Sequence, residues 1–159
     1  MKKYIDDIRR NHALEHATVQ LLIAKLGPTF HVAGRAAHDG FFILGAIPKD
    51  ALEECAVDAL VRLQRGESYW AITPLCGTNI AVGALFSSLA TLAIIRGRSS
   101  KQAPGNAITA SMLALVAAQP AGRWLQRNLT TKSDLAGTEI LSVESHWSDH
   151  FFKVKTRNA

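Results

Sequence analysis

Apolar side chains recur at helical spacing in two segments of the N-terminal half of the chain. The first segment covers residues 5–26, and Gly27-Pro28 ends it because glycine caps a helix and proline cannot continue one. A second helix is predicted from Pro48 to about Arg65, closed by Gly66. The apolar positions on the two helices are Leu14, Ala17, Val19, Leu21, Leu22 and Leu26, then Leu52, Cys55, Ala56, Ala59, Leu60 and Leu63.

Short apolar or alternating runs predict about five strands. They cover residues 30–34, 41–46, 69–73, 138–146 and 150–156. His38-Asp39-Gly40 and Trp147-Ser148-Asp149 supply the turn residues between neighbouring strands. Two helices and about five short strands predict a small α+β domain.

Two uncharged stretches occupy the middle of the chain, Thr78–Ile95 and Ala103–Gly122. As a helix, the first would be about 27 Å long, close to the hydrocarbon thickness of a bilayer. The basic segment 96–101 separates the two stretches, which predicts a transmembrane helical hairpin. Three residues that follow the second stretch are typical of an interfacial anchor: Arg123, Trp124 and Arg127.

The hairpin defines the expected domain organisation. Residues 1–75 and 123–159 together form the α+β domain, and residues 76–122 form the apolar hairpin. A hairpin places both flanks on the same side of the bilayer, and the N-terminus lacks the apolar core of a signal peptide, so we expect that side to be the cytoplasm. The alternative is a buried helix pair in a soluble or homo-oligomeric bundle, since both stretches are rich in small residues.

Composition and charge narrow the range of functions. Apolar residues make up 48% of the 159-residue chain, which argues against disorder. The formal net charge is +5, but we see no dense Lys/Arg stripe interleaved with aromatic residues, so nucleic acid is not an expected partner. Cys55 and Cys76 are the two cysteines, too few for a disulfide scaffold, and reduced thiols are expected in a cytosol-facing domain.

The segment His12-Ala13-Leu14-Glu15-His16 is an H-x-x-E-H pentad. On a helix, His12 and His16 project from one face about one turn apart, which is the spacing that two ligands of one zinc ion need. Glu15 precedes the second histidine and can reach water bound on the metal. The pentad is the inverted form of the H-E-x-x-H signature of zinc peptidases. The sequence therefore predicts Zn²⁺ on His12 and His16, with Glu15 as the general base.

A catalytic zinc usually takes three protein ligands and one water, and the pentad supplies two. We consider Cys76 first for the third, because it directly precedes the first apolar helix, where backbone N–H groups and the helix dipole favour a thiolate. The alternative for Cys76 is a small buried turn residue. The other donors considered for the third position are Glu53, Glu54, Glu67 and His38.

The predicted chemistry is metal-assisted hydrolysis of a peptide or protein substrate. Zinc lowers the pKa of its bound water and polarises the carbonyl, and Glu15 passes the proton of the water to the leaving amine. One alternative is a non-enzymatic membrane assembly or regulatory protein whose histidines are structural or bind metal without turnover. A second is a cysteine-centred function in which Cys76 is a reactive thiolate.

The pentad resembles the catalytic helix of the pitrilysin and insulin-degrading class of zinc peptidases, the inverzincins. That resemblance implies that His12 and His16 bind zinc, that Glu15 activates water, and that a downstream glutamate, unmatched here, completes the site. Over its whole length the chain resembles a family of small bacterial membrane proteins of unknown function. The matching motifs are Asn-His-Ala-Leu-Glu-His-Ala, here Asn11–Ala17, and Cys-Gly-Thr-Asn, here Cys76–Asn79. This second resemblance implies a bacterial inner-membrane location and no particular activity.

Overall fold

The computed structural model describes residues 1–97, 103–146 and 148–158. Within these ranges the fold is α+β, as predicted, with four α-helices and four β-strands. The helices are α1 (Lys2–Leu26), α2 (Lys49–Gln64), α3 (Gly77–Gly97) and α4 (Ala103–Leu125). The strands are β1 (Ala33–Ala37), β2 (Gly40–Leu44), β3 (Glu139–His146) and β4 (Ser148–Arg157). Two further turns are helical, a 3₁₀ turn at Ser68–Ala71 and a π turn at Gln126–Thr130.

The chain divides into two compact units, Met1–Thr73 with Arg127–Ala159, and Pro74–Gln126. The first unit contains α1, α2 and all four strands. The second contains α3 and α4. We refer to them below as the α+β unit and the helical unit.

Helix α1 ends at Leu26, directly before Gly27, as the sequence predicts. Gly27 has φ of 97°, in the left-handed region that glycine adopts without strain, and its N–H donates to the carbonyl of Ile23 at 2.9 Å. The apolar face of α1 packs against α2 and against the sheet, where Leu14 and Leu22 are fully buried. The helix that carries the pentad is therefore held on the core by its own apolar positions.

The sheet is antiparallel throughout, with strand order β1-β2-β4-β3. Its register pairs Phe41 with Val154 and Ile43 with Phe152, and these four side chains are buried on the face covered by α1 and α2. Because side chains alternate across a strand, the intervening residues face the other side. Strand β4, near the C-terminal end of the chain, thus lies in the middle of the sheet beside β2.

Two strand predictions differ from the structure. Residues 69–73 do not form a strand: the 3₁₀ turn Ser68–Ala71 occupies most of this segment, so the sheet has four strands and not five. The strand predicted at 30–34 lies at Ala33–Ala37, because the tight turn after it pairs Ala37 with Gly40 and thereby sets the register. The predicted turn at 147–149 falls partly outside the described residues, as does most of the basic segment 96–101.

The helical unit is an antiparallel pair. Thr91 Oγ1 lies 2.6 Å from Ser111 Oγ, and a Cβ built on Gly83 would lie 3.1 Å from Leu115 Cδ2, so small residues allow close approach. Many large apolar side chains on the two helices are exposed: Ile80, Leu85, Leu89, Leu92 and Ile95 on α3, and Ile108, Met112, Leu113 and Val116 on α4.

Within the described ranges, one helix is long and apolar enough to cross a membrane, Gly77–Arg96 in α3. The prediction of two membrane-crossing helices is therefore corrected to one. The physical reason lies in the composition of α4, which carries Asn106 near its start and Gln119 and Pro120 near its end. These residues lower its apolar character below that of α3.

Candidate metal centre

The two pentad histidines face each other on α1. Their ring centroids are 4.3 Å apart with an interplanar angle of 61°, and one nitrogen of each ring lies within 4.8 Å of the other. His16 is buried, with 2% of its surface exposed, and His12 is partly buried. One turn of helix therefore places two imidazoles side by side at the edge of the core, as the spacing predicts.

Each imidazole is oriented by a backbone carbonyl. His16 Nδ1 lies 2.7 Å from the carbonyl oxygen of Ala71, and His12 Nδ1 lies 2.9 Å from that of Thr130. Because a carbonyl oxygen only accepts, Nδ1 carries a proton in both rings, and in the neutral form of each ring Nε2 then carries the lone pair. Metal-binding histidines usually have this arrangement, in which a second group fixes the tautomer and the orientation of the ring.

The Ala71 carbonyl is available because it ends the 3₁₀ turn, where the last carbonyls have no partner inside the helix. Gln20 Nε2 donates to the adjacent carbonyl of Trp70 at 2.8 Å. Two side chains of α1 therefore bind consecutive carbonyls of this turn. These contacts favour the turn over the strand predicted for residues 69–73.

The Thr130 carbonyl belongs to a segment that is tied to the first half of α1. Arg9 Nη2 donates to the carbonyl of Asn128 at 2.9 Å, and the N–H of Lys132 donates to the carbonyl of Arg9 at 3.0 Å. Lys132 Nζ also donates to Asp6 at 2.9 Å, and this hydrogen bond lowers the pKa of the Asp6 carboxyl. The end of the π turn is thus positioned by hydrogen bonds on both sides of Thr130, the residue that contacts the imidazole.

Glu15 is held in a narrow space between the histidines and the sheet. Its Oε2 lies 3.9 Å from His12 Nε2, and 7% of its surface is exposed. A Cβ built on Gly34 of β1 would lie only 2.1 Å from Glu15 Oε1. The carboxylate therefore occupies the volume that any other residue at position 34 would need, and it lies on the side of His12 that carries the lone pair.

Asn11 joins the pentad helix to the sheet. Its Nδ2 donates to the carbonyls of Ala37 and His38 at 2.8 and 3.1 Å, and its Oδ1 accepts from Thr156 Oγ1 at 2.7 Å. The side chain is fully buried, so each of these bonds satisfies a group that water cannot reach. Asn11 fixes the depth and rotation of α1 on the sheet.

The alternative third ligands have other partners. Glu53 pairs with Lys49 and Glu54 pairs with Lys25, both on exposed helix surface. Glu67 accepts hydrogen bonds from the Tyr69 hydroxyl and the Trp70 indole. His38, in the β1–β2 turn, stacks on the ring of Tyr4 in α1. Among the residues that the structure describes, no cluster of potential metal ligands joins any of these four to the pentad imidazoles.

Cys76 lies in the helical unit, immediately before α3. It is buried, and its Sγ accepts a hydrogen bond from the N–H of Thr78 at 3.4 Å. Its carbonyl accepts from the N–H of Asn79 at 2.9 Å. The residue thus caps the N-terminus of the helix. Within the described ranges, neither Cys55 nor Cys76 forms a disulfide, and burial raises the pKa of Cys55.

Residues 7–143 match the family described as a domain of unknown function, DUF6391. The chain belongs to this family. An uncharacterised protein of Picosynechococcus sp. is 32% identical over 171 aligned residues, which cover 96% of this chain and 81% of the relative. No solved structure matches the chain. Membership of a family of unknown function is therefore confirmed, and the family's match includes the pentad as well as Cys76.

The sequence alone does not reveal the roles of several residues around the candidate metal centre of this DUF6391 protein. Asn11 belongs to a motif, but its buried bonds to two distant strands are invisible in one sequence. Gly34 resembles an ordinary strand glycine, and its close approach to Glu15 depends on how α1 packs. The carbonyls of Ala71 and Thr130 carry no side-chain signal at all.

Proposed function

We propose that this protein is a zinc-dependent, peptidase-like hydrolase anchored to the bacterial inner membrane. His12, His16 and Cys76 would hold the metal, and Glu15 would act as the general base. The observation that carries the proposal is the pair of neighbouring imidazoles, each held by an Nδ1–H···O=C hydrogen bond, because metal-binding histidines usually have their orientation fixed in this way.

The spacing of the imidazoles is compatible with one ion. Two nitrogens bound to a single tetrahedral zinc are about 3.4 Å apart, given Zn–N bonds of about 2.0–2.1 Å. A nitrogen of His12 and a nitrogen of His16 lie within 4.8 Å. Rotations of the two side chains that bring the nitrogens closer by at most about 1.4 Å would close the difference without moving the helix.

Cys76 is the third ligand in this proposal. Ala71, the carbonyl partner of His16, precedes Cys76 by five residues, and five residues of chain span at most about 18 Å. A thiol at a helix N-terminus is in an environment that favours the thiolate, the form that binds zinc. The thiolate and imidazole donor set is one that zinc commonly takes in proteins.

Zinc and Glu15 would then have different roles in the hydrolysis. Bound zinc would supply an activated water and polarise the substrate carbonyl. Glu15, next to His12 and confined by Gly34, would accept the proton of the attacking water and return it to the leaving amine. Its burial keeps the carboxylate in a fixed position, so little reorganisation is needed during the reaction.

Helix α3 would anchor the protein in the membrane, and its antiparallel partner α4 would return the chain to the side from which it entered. Both parts of the α+β unit, residues 1–73 and 127–159, would then lie in the cytoplasm. The support is the length and apolar composition of α3 over Gly77–Arg96, together with the exposure of most of that stretch. Alkaline carbonate extraction of membranes tests this part. Release of the protein into the soluble fraction would contradict it.

Metal content tests the centre. Purified full-length protein reconstituted with Zn²⁺ should retain about one zinc per chain after dialysis, measured by mass spectrometry of the metal. His16→Ala, His12→Ala and Cys76→Ser should each lose it, whereas His38→Ala, an exposed histidine of the β1–β2 turn, should not. Wild-type protein that retains no zinc, or a His16→Ala variant that retains it fully, would show that the proposed centre is wrong.

The general base is tested separately. Glu15→Gln should retain zinc, since Glu15 is not a ligand here, and should lower hydrolysis of fluorescein-labelled casein by at least about a hundredfold. A variant with unchanged activity would exclude Glu15 as the base.

A second candidate function is metal binding without turnover in a membrane assembly or regulatory protein. The burial of His16 and Glu15 favours it, because a structural metal site is closed to solvent. Zinc retention combined with no cleavage of casein by wild-type protein would select this function over the hydrolase.

A further inference from the structure

A cleft of about 620 Å³ borders the candidate metal centre within the α+β unit. Its walls are two chain segments, residues 65–72 around the 3₁₀ turn and residues 127–133 after α4. Ala71 lines this cleft and also accepts the hydrogen bond of His16. Thr131 lines it and directly follows Thr130, the acceptor for His12. The segments that orient the imidazoles therefore also form the cleft, whose volume is in the range of ligand sites.

Two arginines that line this cleft, Arg65 and Arg127, have no carboxylate partner among the described residues. In the described parts of the chain, no Asp or Glu oxygen lies within 4.0 Å of Arg65 or Arg127. Other arginines of the same unit do have such partners. Arg62 pairs with Asp58 at 2.9 Å, and Arg157 pairs with Glu139.

The acidic residue in the cleft wall, Glu67, has partners of its own. Glu67 accepts from the Tyr69 hydroxyl at 2.9 Å and from the Trp70 indole at 3.1 Å, and Arg62 Nη1 lies 3.7 Å from the same oxygen. Two arginines and one glutamate line the cleft, so its lining residues carry a net positive formal charge. The cleft is therefore electropositive beside the proposed zinc site.

We propose that the cleft recognises a carboxylate of a peptide substrate through Arg65 and Arg127. The planar guanidinium matches a carboxylate in geometry, and Ser68 and Ser133, which line the same cleft, are residues whose hydroxyls can donate as neutral groups. The peptide's role as a substrate rests on the proposed function, but recognition of its carboxylate needs no metal. A peptide with an acidic or free C-terminal end next to its scissile bond is the class that would fit.

Fluorescence anisotropy with full-length protein tests the recognition. The probe is a fluorescein-labelled hexapeptide that ends in two glutamates with a free carboxyl. Its counterpart ends in two glutamines and a terminal amide. The acidic peptide should bind more tightly, and binding should weaken as NaCl rises from about 50 to about 500 mM. Equal affinity for the two peptides, or binding of neither, overturns the proposal.

Arginine variants locate the site. Arg65→Gln and Arg127→Gln should each weaken binding of the acidic peptide about fivefold or more, and the lysine variants should recover part of the loss because they keep the charge. The matched control is Arg35→Gln on exposed strand β1, which should change affinity less than about twofold. Glutamine variants that bind like wild-type overturn the proposal.

Two further measurements show whether the arginines, the metal or a lipid phosphate accounts for binding. The titrations are repeated in EDTA and with Zn²⁺, and the zinc content of each variant is measured. Carboxylate recognition that persists in EDTA supports the cleft even if the zinc centre fails, and recognition lost in EDTA shows that the metal, not the arginines, binds the peptide.

Flotation with vesicles of phosphatidylglycerol or phosphatidylcholine tests a lipid phosphate instead. Arginine variants that lose phosphatidylglycerol binding but keep the peptide affinity overturn the proposal.

Discussion

Replacement of Asn11 by alanine should destabilise the α+β unit strongly, because this side chain is the buried joint between the pentad helix and the sheet. Asn11→Ala removes three hydrogen bonds of ordinary length, to Ala37 at 2.8 Å, His38 at 3.1 Å and Thr156 at 2.7 Å, and a long one from Asn158 Nδ2 at 3.5 Å. Each of the three shorter bonds contributes about 1 kcal/mol net. We expect a loss of about 2–4 kcal/mol in the free energy of unfolding, a large part of the usual value of about 5–15 kcal/mol.

A double-mutant cycle isolates the bond that Thr156 donates. Thr156→Val alone removes one hydroxyl, and combined with Asn11→Ala it should cost about 1 kcal/mol less than the sum of the two single changes. Thr18→Val is the matched control. Its buried hydroxyl donates to Leu14 in its own helix, about 10 Å along α1 from Asn11, so its effect should add to that of Asn11→Ala within about 0.5 kcal/mol.

The assay is urea unfolding of full-length protein in detergent, followed by tryptophan fluorescence. In a Trp124→Phe, Trp147→Phe background the remaining reporter is Trp70, which lies under Arg62 at 5.2 Å and packs against the core of the α+β unit. A loss below about 0.5 kcal/mol for Asn11→Ala would refute the reasoning. So would a coupling to Thr156→Val no larger than the coupling to Thr18→Val.

Three other changes have defined outcomes. Gly34→Ala should displace the Glu15 carboxylate, since the new Cβ would lie 2.1 Å from Oε1, and should lower the free energy of unfolding by about 1–3 kcal/mol in the same urea assay. Lys153 donates to Asp39 at 2.7 Å, and this hydrogen bond lowers the pKa of Asp39 in the folded protein below its ordinary 3.8. The pair therefore stabilises the fold fully above pH 3.8, and this stabilisation is lost as the pH falls through the pKa that Asp39 has in the folded protein. Lys153→Met should return the Asp39 pKa toward 3.8 in an NMR titration; an unchanged pKa would contradict the assignment. Burial raises the pKa of Cys55, so iodoacetamide at about pH 7.5 should label it slowly in folded protein and rapidly in urea, as measured by peptide mass spectrometry.

Local patterns in the sequence are enough to predict the helices and the pairing of the pentad histidines. A helix repeats about every 3.6 residues, so the apolar positions from Leu14 to Leu26 and the spacing of His12 and His16 both follow from chain order alone. Gly27 ends the helix for a reason that is equally local. The same holds for the apolar stretch of α3, where length and composition suffice.

Only the tertiary structure decides what surrounds those histidines. Strand β2 pairs with β4, more than about 100 residues later, and this long-range pairing brings Thr156 to Asn11. The 3₁₀ turn at Ser68–Ala71 stands in place of a predicted strand because α1 side chains bind its carbonyls. Backbone carbonyls have the same chemistry at every residue, so no pattern of side chains could say that Ala71 and Thr130 would orient the two rings. Their selection depends on how separate segments pack, which is a property of the folded chain and not of any local stretch of sequence.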